Sequence, residues 1–267
     1  MEVQTLIGVL QELAPDLDAG DIIMNAGYLT EDADITKIGV CVDPTEQNIL
    51  TAADKGMEVL ITYHPWYGEA ADLVQQRKIT VIPLHHVWDN APEGVNWTIA
   101  RAIGLQDVCW VDGILMGALE TSFRDLMERC LRVLDMNILP YYGELRQPVH
   151  KIGIWSGPGF LPYHKKIWEA CLQQGCDTII SGEISLLPIR FAAAHQLKLI
   201  DLGHSAVAKP AVSHLANLLK LRLQAFDCTV ELLEDLYAGS FYTKNYFLQQ
   251  NDGEDTLPLF RFMEREG

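Results

Sequence analysis

The sequence predicts an α/β protein made of two similar α/β domains, each built from a strand-helix-strand-helix-strand unit. Two observations carry that prediction. Apolar, β-branched runs alternate with amphipathic helical stretches along most of the 267 residues, an order that yields parallel sheets flanked by helices. The run "KIGVCVD" from Lys37 is also echoed by "KIGIWSG" from Lys151, and each opens the same succession of elements.

Val3, Leu6, Ile7, Leu10 and Leu13 fall at helical spacing and Pro15 ends the run, so a first helix is predicted over 2–14. A strand over 37–43 follows, then a helix over 44–56 with Pro44 in its first turn and Gly56 as its stop, then a strand over 57–63. A short helix through 69–78 leads to a third strand, 79–87, and to a helix over 94–104. The second half predicts strands over 151–157, 176–183 and 197–204, with a helix over 164–175 after the first of them. Between the halves lie a helix, 119–134, and an irregular stretch holding Pro140 and Pro148. A leucine-rich helix over 211–226 and a strand over 228–235 close the pattern, and the tail from Gln250 reads as polar and loosely held. The first domain is therefore drawn over 1–118, completed by 211–267, and the second over 119–210.

Composition narrows the function. A formal net charge of −16 repels phosphate backbones, and no basic run or aromatic-plus-basic stripe offsets it, which argues against direct nucleic-acid binding. No apolar run reaches the roughly 18 residues of a membrane span, and the N-terminus lacks the basic start of a secretory signal. A cytoplasmic chain is the expectation. Six cysteines, Cys41, Cys109, Cys130, Cys171, Cys176 and Cys228, include no CxxC pair and read as reduced residues, mostly of the core.

Ligands of parallel α/β sheets gather at the carboxyl ends of strands. Here those ends carry His64, then His85, His86 and Asp89, and in the second half Glu183, Asp201 and His204. A mixture of imidazole and carboxylate suits divalent zinc, manganese or iron. Each residue taken singly also has a structural reading: a hydrogen-bonded histidine at a strand end, or, for Glu183, an acid at the start of a helix. "WSGPGF" (155–160) lies between a strand and a helix, but Pro158 removes an amide donor, so a plain turn is the reading there. Trp66, Trp88 and Trp97 lie near the proposed site, where core packing competes with contact to substrate or a neighbouring subunit.

The blocks "LITYHPWY", "LHHVWDNAPEGVNWTIARAIGL", "DTIISGEIS" and "LIDLGHSAVAKPAV", in this order, resemble the Nif-three-like dinuclear metal-center family, also known as GTP cyclohydrolase 1 type 2-like. The likeness runs from "MNAGY" at 24–28 to about residue 235. It implies two similar α/β domains, a homo-hexameric ring and metal ions in the cleft between domains. On the family's motifs His64, Asp89 and His204 are the implied metal ligands, while Tyr63 and Ala208 stand where a His and a Glu are expected. Losing two ligands points to one divalent ion (zinc, iron or manganese) in place of two, enough to activate water for hydrolysis of an unidentified small molecule. In that reading Glu183 is the general base or acid, and His85, or His86 beside it, is a catalytic group that orients substrate or a ligand. The competing reading is a non-catalytic, ring-shaped interaction protein with a vestigial site.

Overall fold

Two β-sheets, of four and seven strands, organise residues 1–18, 34–66, 69–233 and 261–264, which this computed structural model describes. The smaller is all-parallel, in the order β10-β1-β2-β3, from β1 (Lys37–Cys41), β2 (Val59–Thr62), β3 (Thr80–Pro83) and β10 (Thr229–Leu232). Every residue of β2 is buried, as a parallel strand covered on both faces requires. Register sets Cys41 beside Thr62 and Thr62 beside Pro83. The three strands thus end level, and the segments after them leave one edge of the sheet.

The larger sheet is mixed, in the order β11-β6-β9-β8-β7-β5-β4. Its middle is parallel, from β7 (Pro148–Ile154), β8 (Thr178–Ser181) and β9 (Lys198–Asp201), and Ser181 again lies level with Asp201. The hairpin β4 (Gln106–Val111) and β5 (Ile114–Ser122) covers one side, and β6 (Ile138–Tyr142) with β11 (Arg261–Glu264) the other, all antiparallel.

The helices are α1 (Val3–Leu13), α2 (Glu46–Asp54), α3 (Glu69–Arg77), α4 (His85–Asn90), α5 (Val95–Ile103), α6 (Phe123–Leu134), α7 (Lys165–Gln173), α8 (Leu186–His195) and α9 (His204–Leu223). Thr45 and Ser122 cap α2 and α6 by accepting the amides of Asn48 and Asp125, each at 3.1 Å. The largest apolar cluster joins Leu6 and Leu10 of α1, Ile61, Ile99, Leu126, Ile180 and Leu219, so both sheets pack on one core. No helix among the described residues is long and apolar enough to cross a membrane.

Several boundaries differ from the sequence reading, each for a physical reason. The third strand stops at Pro83 instead of running to 87, because His85 takes φ 26° and starts α4. Residues 119–122 belong to β5, and the 106–122 hairpin was not anticipated. Its turn is Asp112-Gly113, both at positive φ, the conformation of a type I′ hairpin turn. The stretch taken as irregular contains β6, whose Pro140 faces β11, outside the two residue pairs β6 makes with β9. The last helix begins at His204, not 211, and carries Pro210 inside it. Of the cysteines, Cys41, Cys130, Cys171 and Cys176 are buried, Cys228 is half-buried and Cys109 is exposed; all are free thiols. "MNAGY" and most of the tail lie outside the described residues.

Candidate metal centre

After β2 the chain keeps to the side of β1 for two residues: the amides of Tyr63 and His64 donate to the Val42 carbonyl at 3.1 and 2.9 Å. Thr62 Oγ1 donates to the His64 carbonyl at 2.6 Å, which fixes the bend that turns the imidazole outward. The next strand tip delivers His85, whose amide donates to the Tyr63 carbonyl at 2.8 Å. His204 comes from the other sheet. Asp201, at the end of β9, accepts the amides of Gly203 and Ile184 at 2.8 and 2.7 Å and so ties this tip to the neighbouring one. Gly203, at φ 70°, makes the turn that places His204 first in α9.

The three imidazoles meet. Ligand atoms of His64, His85 and His204 lie within 4.8 Å of one another, with ring centroids 5.7 Å (His64 to His85) and 5.2 Å (His64 to His204) apart. His64 Nδ1 lies 2.7 Å from Asp43 Oδ1, and His204 Nδ1 lies 3.3 Å from Glu183 Oε1. A carboxylate only accepts, so these contacts put the proton on Nδ1 and leave Nε2 with its lone pair. His204 Nε2 is buried and meets no partner among the described residues. A buried polar atom left bare is rare in folded proteins, and a bare imidazole nitrogen facing two others suits a divalent ion. Burial, with repulsion from His64, His204 and His86, holds His85 below the ordinary imidazole range against the pull of Asp89. That keeps it in the neutral form that ligates metal.

Other residues singled out in the sequence are placed as follows. Asp89 is outside the group of three; its Oδ1 accepts from the Tyr63 hydroxyl at 2.6 Å. Burial and the Asp89 charge push the Tyr63 phenol well above its usual range, so it stays a protonated donor. His86 is exposed beside His85, with ring centroids 6.2 Å apart. Ala208 is fully buried in the core. Trp88 is fully buried and donates to the Ala211 carbonyl at 3.3 Å, and Trp97 lies under the Arg101 guanidinium. In "WSGPGF" the amides of Gly159 and Phe160 bond within the fold, as a plain turn does.

Sequence reasoning missed Asp43. The available signal was its place after β1, at a tip adjoining that of His64. Asp43 also lines a cavity of about 710 Å³ with Pro44, Trp66, Leu73 and Asp72, a volume in the range of small-molecule sites. Two positive-φ residues, His85 at 26° and Glu183 at 66°, sit at this centre. Such strained backbone is characteristic of functional sites.

Comparison with known proteins agrees with this architecture. The family model described as Duf34/NIF3 (NGG1p interacting factor 3) matches residues 1–235. A Clostridium perfringens protein named GTP cyclohydrolase 1 type 2 homolog is 24% identical over 253 residues, covering 84% of this chain and 94% of its own length. A protein of the same name from Methanothermobacter thermautotrophicus is 25% identical, covering 92% of this chain and 98% of its own. Among solved structures, a hypothetical protein of Staphylococcus aureus superposes with a TM-score of 0.73 at 20% identity, covering 91% of this chain and 99% of its own. Reduced HcgD from Methanocaldococcus jannaschii gives 0.71, also at 20% identity, covering 88% and 98%.

Proposed function

This chain belongs to the Duf34/NIF3 family, and from that premise we propose that it is a metal-binding protein whose site has contracted to a single divalent ion. The observation that carries the reading is the meeting of His64, His85 and His204, two of them backed by carboxylates on Nδ1. In this assignment His64 and His204 keep the ligand roles that the family likeness gave them. His85 becomes the third nitrogen ligand, and Asp89 pairs with the Tyr63 hydroxyl.

A divalent ion held by His64, His85 and His204 would supply Lewis acidity toward water or substrate. The protein's own groups do the rest. Asp43 and Glu183 hold two of the rings in one tautomer and orientation. Glu183, the more exposed of the two, is the group placed to accept a proton from a substrate or water at the mouth of the site. His86, exposed beside His85, orients the substrate. The relatives named GTP cyclohydrolase 1 type 2 homolog support a hydrolytic reaction, at an electrophilic carbon or phosphorus. The two parallel runs β1-β2-β3 and β7-β8-β9 support a duplicated unit, with domains at 1–118 plus 211–267 and at 119–210, assembled as a hexameric ring in the cytoplasm.

A second reading, a non-catalytic ring that serves interaction, is favoured by Tyr63 and Ala208 standing where the family motifs have a His and a Glu. Metal analysis of protein purified without chelator decides between the two. We expect about one equivalent of zinc, iron or manganese per chain, lost in His64→Ala. A wild-type protein free of metal at neutral pH leaves only the scaffold reading.

A further inference from the structure

We propose that Tyr63 fixes which metals this centre accepts: its phenol holds the Asp89 carboxylate in a hydrogen bond apart from the three imidazoles, leaving an uncharged, all-nitrogen donor set that takes zinc or cobalt(II) in preference to manganese(II). The inference rests on the metal-binding reading above and names the class of ion for the same site.

His85 and Asp89 share α4 one helical turn apart, so the same short helix brings both an imidazole and a carboxylate near the site. Only the imidazole joins the other two within 4.8 Å. The carboxylate's Oδ1 is 2.6 Å from the Tyr63 hydroxyl, a short charge-assisted bond. Tyr63 is 2% exposed and its ring stacks on His85 at 5.4 Å, so the phenol has little freedom to turn away. The segment bearing Asp89 is pinned as well. Its carbonyl accepts from Asn96 Nδ2 at 3.0 Å, and Asn96 Oδ1 in turn accepts the Ser156 amide at 2.8 Å.

Of the other carboxylates at these strand tips, Asp43 and Glu183 face Nδ1 atoms and act through the rings, while Asp201 accepts the backbone amides of Ile184 and Gly203. Among the described residues, no anionic oxygen therefore joins the group of three. Imidazole nitrogen suits zinc and cobalt, whereas manganese favours carboxylate and carbonyl oxygen. A phenol next to the first ligand histidine thus selects the ion without touching it.

The test uses the metal-free protein, checked for folding by circular dichroism and titrated separately with zinc, cobalt(II) and manganese(II) against a chromophoric chelator. We expect wild type to bind one cobalt ion at least about 100-fold more tightly than manganese. Asp89→Asn, which keeps a hydrogen-bond acceptor for Tyr63, should change cobalt affinity by less than about threefold, whereas His204→Ala should abolish binding. Tyr63→Phe frees the carboxylate and should narrow the cobalt-to-manganese gap about tenfold or more. The double variant Tyr63→Phe, Asp89→Asn should restore the gap. Equal affinity of wild type for cobalt and manganese, an unchanged gap in Tyr63→Phe, or loss of cobalt in Asp89→Asn as complete as in His204→Ala would each overturn the proposal while leaving the metal reading intact. Absence of binding by any of the three ions to wild type would remove the metal reading itself, and this inference with it.

Discussion

At the scale of single residues, the centre depends on which ring nitrogen carries the proton. Asp43 settles this for His64 at 2.7 Å, and Glu183 does so for His204 at the longer 3.3 Å. Asp43→Asn is therefore expected to weaken zinc binding about 10–100-fold, with Glu183→Gln at the lower end of that range, both read by chelator competition. Equal zinc affinity in wild type and Asp43→Asn would show that the carboxylate does not orient the ring. His64 and His204 were legible in the sequence because each follows a buried strand. Asp43 was not, since an acid between a strand and a helix is ordinary chemistry for a helix N-terminus. Its role depends on two strand tips being neighbours, which no local pattern states. His85 was read as a catalytic group because the family motif gave the ligand role to Asp89, four residues further on.

At the scale of elements, the junction between α4 and α5 holds His85 in place. Gly94 opens α5, and a β-carbon there would lie 1.7 Å from the Trp88 carbonyl oxygen, an overlap that the backbone has to relieve by moving. Gly94→Ala is expected to destabilise the protein by about 2 kcal/mol or more and to weaken metal binding with it. Urea denaturation together with chelator competition checks both. An unchanged urea midpoint would mean that this junction yields without cost. The parallel strands and most helices were readable because their apolar periods are strong. The β4-β5 hairpin was also signalled, by Asp112-Gly113 between apolar runs, but the helical pattern from 119 onward masked the strand that overlaps it. Pro140 hid β6, because a proline is expected only where a strand's amide has no partner in the ladder.

At the scale of the whole molecule, a small, half-exposed polar network joins Glu93, just ahead of α5, and Arg101 of α5 to His214 of α9. The Arg101 guanidinium forks onto the Glu93 carboxylate, with nitrogen to oxygen distances of 2.5 and 3.0 Å, and His214 Nε2 lies 3.0 Å from Glu93 Oε2. Hydrogen bonding from Arg101, and then from His214, outweighs burial and holds Glu93 down at about 2, against an ordinary value of 4.5. A carboxylate depressed on folding stabilises the native state above its unfolded pKa, and the contribution is lost as pH falls through the window from 4.5 to about 2. The side chain is 36% exposed, so the effect is modest. The urea midpoint of wild type is expected to exceed that of Glu93→Gln at pH 6, with the difference gone by about pH 2. A difference that persists unchanged at the acid end would place its origin outside this carboxylate.

The larger claim at this scale is that two sheets, distant in sequence, bring their strand tips to one ion. X-ray absorption at the zinc edge of the zinc-loaded protein tests it most directly. The account predicts a first shell with three imidazole nitrogens at about 2.0–2.1 Å and one further light atom. A spectrum with fewer than three imidazoles, or one unchanged in His204→Ala, would contradict it.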